Sequence, residues 1–248
     1  MTEHRATSEE HRPEAIRRRL ARSGDHDYLA DAVLGGIDGC VTTFAVVAGA
    51  TGGALAPLVV IILGFANLAA DGFSMAVSNY HGTRSARDLV SQTRRSEEHH
   101  IARVPEGERE EIRQIFARKG FEGDTLERVV DTITANRRLW VDTMLTEEHG
   151  LQLDGPDPVR AGATTFAAFI AVGLVPLLPY LVPAAPGAMF GASCVLTAGA
   201  FFGIGWVKGQ RLQQPRLRSA WQTLWTGGAA AVLAYLVGWG LRAGFGSA

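Results

Sequence analysis

The longest stretch without a charge decides what this chain can fold into. Residues 161–207, 47 in a row, contain no Asp, Glu, Lys, Arg or His, and residues 39–70 and 219–241 add 32 and 23 more. A soluble helix keeps one charged face on water, whereas a hydrocarbon core about 30 Å thick is crossed by about 20 apolar residues of helix. These stretches therefore predict a multi-pass membrane protein and exclude a soluble enzyme. The whole-chain averages, a net charge of -1 and 20% charged residues, hide the pattern. Nearly all charge is crowded into residues 1–38, 84–160 and 208–218. Near-neutral charge also argues against nucleic acid as a partner. The two cysteines, Cys40 and Cys194, lie inside apolar stretches, which speaks against a disulfide framework or a zinc–thiolate site.

Apolar runs and breakers give five spans. The first covers about 28–49 and ends in the Gly-rich turn GATGG; the second covers about 57–81. The third and fourth share the 47-residue run and are split by PYLVPAAPG, and the fifth is WQTLWTGGAAAVLAYLVGWGL. Arg17, Arg18, Arg19 and Arg22 precede span one, and Lys208, Arg211, Arg216 and Arg218 join spans four and five. The turns on the other side are uncharged. By the bias of basic residues toward the cytoplasm, the N-terminus and the polar insertion are cytoplasmic and the C-terminus is outside. The expected fold is thus all-α: a polar segment at 1–26, spans one and two at 27–83, a cytoplasmic helical insertion at 84–157, and spans three to five at 158–248. Residues 1–26 lack an apolar signal core and read as disordered or as an interfacial helix. Arg outnumbers Lys 22 to 2, a bias that points to a bacterial cell membrane.

Within the insertion, span two continues through SARDLVSQTRRSEEHHIARV until Pro105 breaks it. PEGEREEIRQIFARKG forms a second helix, with Pro105 at its start and Gly120 as its stop. A third helix follows from about Asp124, with an interruption near Asn136.

Two carboxylates sit inside apolar spans, and no basic residue lies between Ala32 and Thr83 except His81. Asp38 falls about 15 Å along span one at 1.5 Å per residue, near the midplane, where an unpaired charge costs about 2.5–3.5 kcal/mol. A cation or a proton must neutralise it; the bland alternative is a protonated Asp bonded to a neighbouring helix. The flanking glycines of GGIDG permit a close helix approach. In span two, Asn67, Asp71, Met75 and Asn79 recur every four residues, and an amide oxygen, a carboxylate and a thioether suit a transition-metal path. In the insertion, Glu97 and His100, Glu108 and Glu111, and Met144 and Glu148 each share a helix face. Such a set resembles a carboxylate metal cluster in a bundle and suits Fe(II), Mn(II) or Zn(II) better than Ca(II). The alternative is an ordinary salt-bridged surface, as EGEREEIR would form.

LADAVLGGIDGCVTTFAVVAGATG, ANLAADGFSMAVSNY, RSEEHHIARVPEGEREEI and WVDTMLTEEHGL, in this order, resemble the vacuolar iron transporter family from about Tyr28 to Leu241. The resemblance implies a five-span homodimer that exchanges cytosolic Fe(II), and often Mn(II), for protons along a path at the dimer interface. It implies that Asp38 and Met75 bind metal on that path, and that Glu97, Glu108, Glu111, Glu148 and Met144 gather metal in the cytoplasmic domain. The chain departs from the pattern at three places. Asn67 stands where plant and parasite members have Glu, with Asp71 one turn later; His100 replaces a cluster Glu; and Leu145 replaces a second Met. The reading is a proton-coupled exporter of Fe(II), possibly Mn(II), not an enzyme, with metal bound as substrate, no prosthetic group, and ions, protons, lipid and a second copy as partners. The rival is a membrane-anchored ferroxidase-like protein without transport, which leaves Asp38 and the Asn67–Asp71–Met75 row unexplained.

Overall fold

A computed structural model of the protein describes residues 12–21 and 26–245. Residues 1–11 and 22–25, part of the N-terminal segment expected to be disordered or interfacial, lie outside the described residues. The described chain is all-helical: α1 (Pro13–Ala21), α2 (Leu29–Gly52), α3 (Pro57–Arg103), α4 (Pro105–Arg118), α5 (Gly123–Thr134), α6 (Arg137–Thr143), α7 (Pro158–Gly173), α8 (Pro186–Arg211) and α9 (Arg216–Phe245). A π-helical turn, Met144–Glu148, extends α6, and a 3-10 helix, Val175–Leu181, follows α7. Contacts divide the chain into two compact units, Asp27–His81 with Pro158–Ala248, and Gly82–Asp157 with the N-terminal segment. The 47-residue helix α3 supplies residues to both.

The first unit is the membrane part. Helices α2, α3, α8 and α9 are each long and apolar enough to span a bilayer, and α7 with the 3-10 helix, bent by 42°, is apolar enough only as a pair, as a broken span or a re-entrant loop is. The break is local chemistry. Pro176 and Pro179 lack an N–H and cannot extend the α-helix, so α7 ends and the chain tightens. One carbonyl freed by the break is bonded: Ser193 of α8, fully buried, donates its hydroxyl to the Pro176 carbonyl at 2.7 Å. The core gathers Phe44 and Val47 of α2, Val60 and Leu68 of α3, Phe169, Leu177, Tyr180 and Met189. Leu58, Ile62, Phe65 and Phe73 of α3 face outward.

Helix α2 is held at both ends by glycine. A Cβ on Gly35 would lie 2.2 Å from the Thr165 carbonyl oxygen, and one on Gly39 would lie 2.4 Å from that of Phe169. The backbones of α2 and α7 therefore touch on either side of Asp38, as small residues allow in a membrane where apolar burial does not drive association. Toward the other end, a Cβ on Gly238 of α9 would lie 2.0 Å from the Gly49 carbonyl oxygen. The uncharged spans thus assemble by close backbone packing.

In the second unit, Pro105 stands at the first position of α4, and Gly120, at φ +91°, reverses the chain where a side chain would be strained. The interruption near Asn136 is an N-cap: its side-chain oxygen accepts from the amides of Arg138 and Leu139 at 3.1 and 3.2 Å. Ile101, Ile112, Ile115, Val130, Ile133, Trp140, Val141, Met144 and Leu145 form the apolar core.

Gly39→Ala should lower the melting temperature of the detergent-solubilised protein by several degrees. Overpacking costs about 1–3 kcal/mol even where side chains can yield, and here the obstacle is backbone. Gly203→Ala, which meets nothing within 4 Å, serves as the control. Equal melting temperatures for the two variants would refute the backbone contact.

Candidate metal centre

Glu97, near the end of α3, is the hub of a buried polar cluster. It is 3% exposed, and one of its oxygens, Oε1, lies 3.1 Å from His149 Nε2 and 3.8 Å from His100 Nδ1. His100 Nδ1 is 3.6 Å from Glu108 Oε1, and His149 Nε2 is 3.7 Å from Glu148 Oε2. Two triads result, Glu97–His100–Glu108 and Glu97–Glu148–His149, each offering one ligand atom per residue within 4.8 Å of the others. Glu108 is 7% exposed, and its Oε2 has no hydrogen-bond partner. Exposed Glu111 stands close enough for its charge to act on both Glu108 and Glu148.

The acids of this unit fall into two groups. Arg113 pairs with Glu110 and Glu127, Arg109 with Asp131, Lys119 with Glu147 and Arg94 with Asp142. These are the solvated ion pairs of a helical surface; hydrogen bonds from Gln114 and then Arg113 hold Glu110, and one from Arg113 holds Glu127, below the usual carboxylate range. Among the described residues no Arg or Lys forms an ion pair with Glu97, Glu108, Glu111 or Glu148. Burial, followed by the charges of Glu111, Glu97 and Glu148, pushes Glu108 up to about 7. Burial and Glu111 likewise raise Glu148, against the lowering effect of His149. These acids face one another with only the two imidazoles beside them, an arrangement that suits a cation.

His149 did not stand out in the sequence as a site residue. The third helix ends in a π-helical turn, in which the His149 amide donates to the Met144 carbonyl at 3.2 Å, five residues back. That turn re-aims the residues after it, so α-helical spacing misjudges them. Met144, expected to face the site with Glu148, is fully buried in the apolar core. The sequence EEH at 147–149 was the available signal, and the turn that delivers the imidazole leaves no mark in periodicity.

In the membrane unit, Asp38 is half-buried on α2, and Asp71 is near enough for its charge to act on it. Asn67 donates to the Thr42 hydroxyl at 3.2 Å, which donates in turn to the Asp38 carbonyl at 2.9 Å. Asn67 and Asp71 line a groove of about 880 Å³ with Gly49, Ala70 and Arg242. The row of four spreads over more than one face, because each four-residue step turns about 40° beyond a full rotation at 3.6 residues per turn. Met75 packs against the core cluster that contains Phe169. Asn79 donates to Asp31 and to Thr165, both at 2.7 Å, and ties α2, α3 and α7 together.

Four helices long and apolar enough to cross a membrane, a further bent pair, and a helical unit that brings carboxylates and imidazoles together are the features of a multi-pass membrane protein. The VIT family model matches residues 29–239, and the chain belongs to that family. It is 33% identical over 235 residues to the vacuolar iron transporter of Toxoplasma gondii, covering 87% of this chain and 78% of that one. It is 34% identical over 213 residues to vacuolar iron transporter 1 of Arabidopsis thaliana, covering 84% of each. Vacuolar iron transporter 1 of Oryza sativa subsp. japonica is 34% identical over 232 residues, covering 92% of this chain and 88% of that one.

An unfolded chain releases the Glu108 proton near 4.5, whereas the folded protein keeps it to about 7. Between those values the native state binds more protons, so the ion-free protein loses stability as pH rises and levels off above 7. The lowered acids Glu110 and Glu127 act below this window. The unfolding temperature of metal-free protein should therefore fall from pH 4.5 to 7, and Glu108→Gln should flatten that fall. An unchanged slope in the variant would contradict the assignment.

Proposed function

We propose that the protein is an iron transporter that moves Fe(II), and also Mn(II), out of the cytosol in exchange for protons. The observation that carries this reading is the carboxylate–imidazole cluster around buried Glu97 and Glu108, which has no Arg or Lys counter-charge among the described residues. The relatives' name, vacuolar iron transporter, supports iron as the cargo and a transporter rather than an enzyme. On this reading the unit at 82–157 is cytoplasmic and gathers the ion on Glu97, His100, Glu108, Glu111 and Glu148, with Met144 a support in the core. Met75, Asp71 and Asn67 pass it along α3, and Asp38 alternates between metal and proton. Metal and proton compete for the same lone pairs, so protonation on the acidic side releases the ion. The protein acts as a homodimer in a bacterial inner membrane.

The same ligand set would also serve a ferroxidase, in which Fe(II) gives an electron to oxygen and no ion crosses. That rival uses neither Asp38 nor Asp71, two acids in apolar spans that a membrane anchor does not require.

Fe(II) uptake into sealed proteoliposomes under a pH gradient separates the two. Wild type should accumulate Fe(II) and collapse the gradient. Asp38→Asn should lower the rate at least about tenfold, the loss expected when one interaction worth 1.4 kcal/mol or more at the rate-limiting barrier is removed, while still binding metal in detergent. Near-wild-type uptake by the variant, or oxygen-dependent oxidation without uptake in wild type, would overturn the transport reading.

A further inference from the structure

His149 lies outside the ligand set implied by the family resemblance, yet its ring nitrogen stands 3.1 Å from the Glu97 carboxylate. We propose that His149 is a direct nitrogen ligand to the ion held at Glu97, and that it biases the site toward Fe(II), Co(II) and Zn(II) over Mn(II). The inference rests on the reading of this cluster as the divalent-metal site and adds to it a residue and a selectivity.

Geometry carries the assignment. Ligands on a tetrahedral ion with bonds of about 2.0–2.1 Å are about 3.3 Å apart, and octahedral neighbours are somewhat closer. His149 Nε2 stands 3.1 Å from Glu97 Oε1 and 3.7 Å from Glu148 Oε2, so the three atoms already bracket the spacing that one small divalent ion demands. The second triad, Glu97–His100–Glu108, shares Glu97, and its buried Glu108 Oε2 has no hydrogen-bond partner. That oxygen is a desolvated acceptor without a donor, which is how a ligand looks before its ion arrives. His149 Nε2 and Glu97 Oε1 are within hydrogen-bond distance of one another, and an ion bound between them would replace that contact.

Delivery of the ring depends on the π-helical turn Met144–Glu148. Its five-residue hydrogen bond ends at the His149 amide itself, and such turns recur at functional sites. The side chain is only about one-third exposed, while the apolar core beneath it is carried by Met144 and Leu145. Replacing the ring therefore leaves the fold intact.

Selectivity follows from ligand type. Sites made only of carboxylates suit Mn(II) and harder ions, whereas imidazole favours the later members of the series from Mn(II) to Zn(II). With His100 and His149 in one cluster, each triad holds one nitrogen and two carboxylates.

The test uses the full chain in detergent with Co(II) and Mn(II) as the ions. Pulsed EPR of the Co(II)-loaded protein reads nitrogen coupling directly, and calorimetry reads affinity. His100→Ala should keep a nitrogen coupling that His100→Ala with His149→Ala loses. His149→Ala should weaken Co(II) binding about tenfold or more, the scale on which perturbing a metal site's ligand shell acts, and leave Mn(II) binding nearly unchanged. His149→Glu should raise Mn(II) affinity without restoring that for Co(II). Co(II) bound by His100→Ala with no nitrogen coupling would overturn the proposal, and so would equal losses for both ions, which mark a ring that only orients Glu97. Either result leaves the metal site itself standing, whereas wild type that binds neither ion removes both readings.

Discussion

Like charges held together out of water set the terms for this protein. Glu97 and Glu108 are buried, Glu148 and Glu111 stand beside them, and Arg94, Arg109, Arg113 and Lys119 are engaged with other acids. Two unit charges about 4 Å apart repel by about 4 kcal/mol at the effective dielectric near a protein surface. A folded domain sustains that only through partial protonation or a bound cation, and burial first, with this repulsion second, pushes Glu108 up to about 7. The apolar core of Ile112, Val130, Val141, Met144 and Leu145 anchors the helices that hold these acids close.

The spans present the same constraint in a harsher solvent. Asp38 lies in sequence between Gly35 and Gly39, where α2 and α7 touch through their backbones. Asn67 and Thr42 link α3 to the backbone of Asp38 itself. Asp71, the nearby acid, lines a groove that it shares with Asn67 and Arg242. The arrangement gives Asp38 a like charge close by, and for the transport proposed here that pairing favours exchange of a proton for a metal over permanent neutralisation.

Most of the architecture was legible in the sequence because membrane insertion leaves a coarse mark. Uncharged runs located the spans, Pro105 and Asn136 located breaks, and Gly120 located a stop. The bend in the third span was not legible, since Pro176 and Pro179 lie inside one uninterrupted apolar run and hydropathy does not register a lost N–H. The site was partly legible. Glu97, His100 and Glu108 meet as their helical spacing suggested, whereas four-residue spacing in α3 overstated a common face: Asn79 belongs to a structural tie with Asp31 and Thr165. Met144 lies in the apolar core and the His149 imidazole reaches Glu97, a placement that helical spacing did not give because a π-helical turn departs from that period.

A site that must also let go cannot be built from strong ligands alone. A carboxylate with an ordinary affinity for protons stays ionised at every cytosolic pH and offers the ion no competitor. Glu108, raised to about 7, is different: near neutrality its proton and a divalent ion contend on comparable terms, and each ion bound displaces protons that each release recovers. For the transport proposed here, gathering and release would then follow from one property of the cluster, acceptor groups shared between proton and metal.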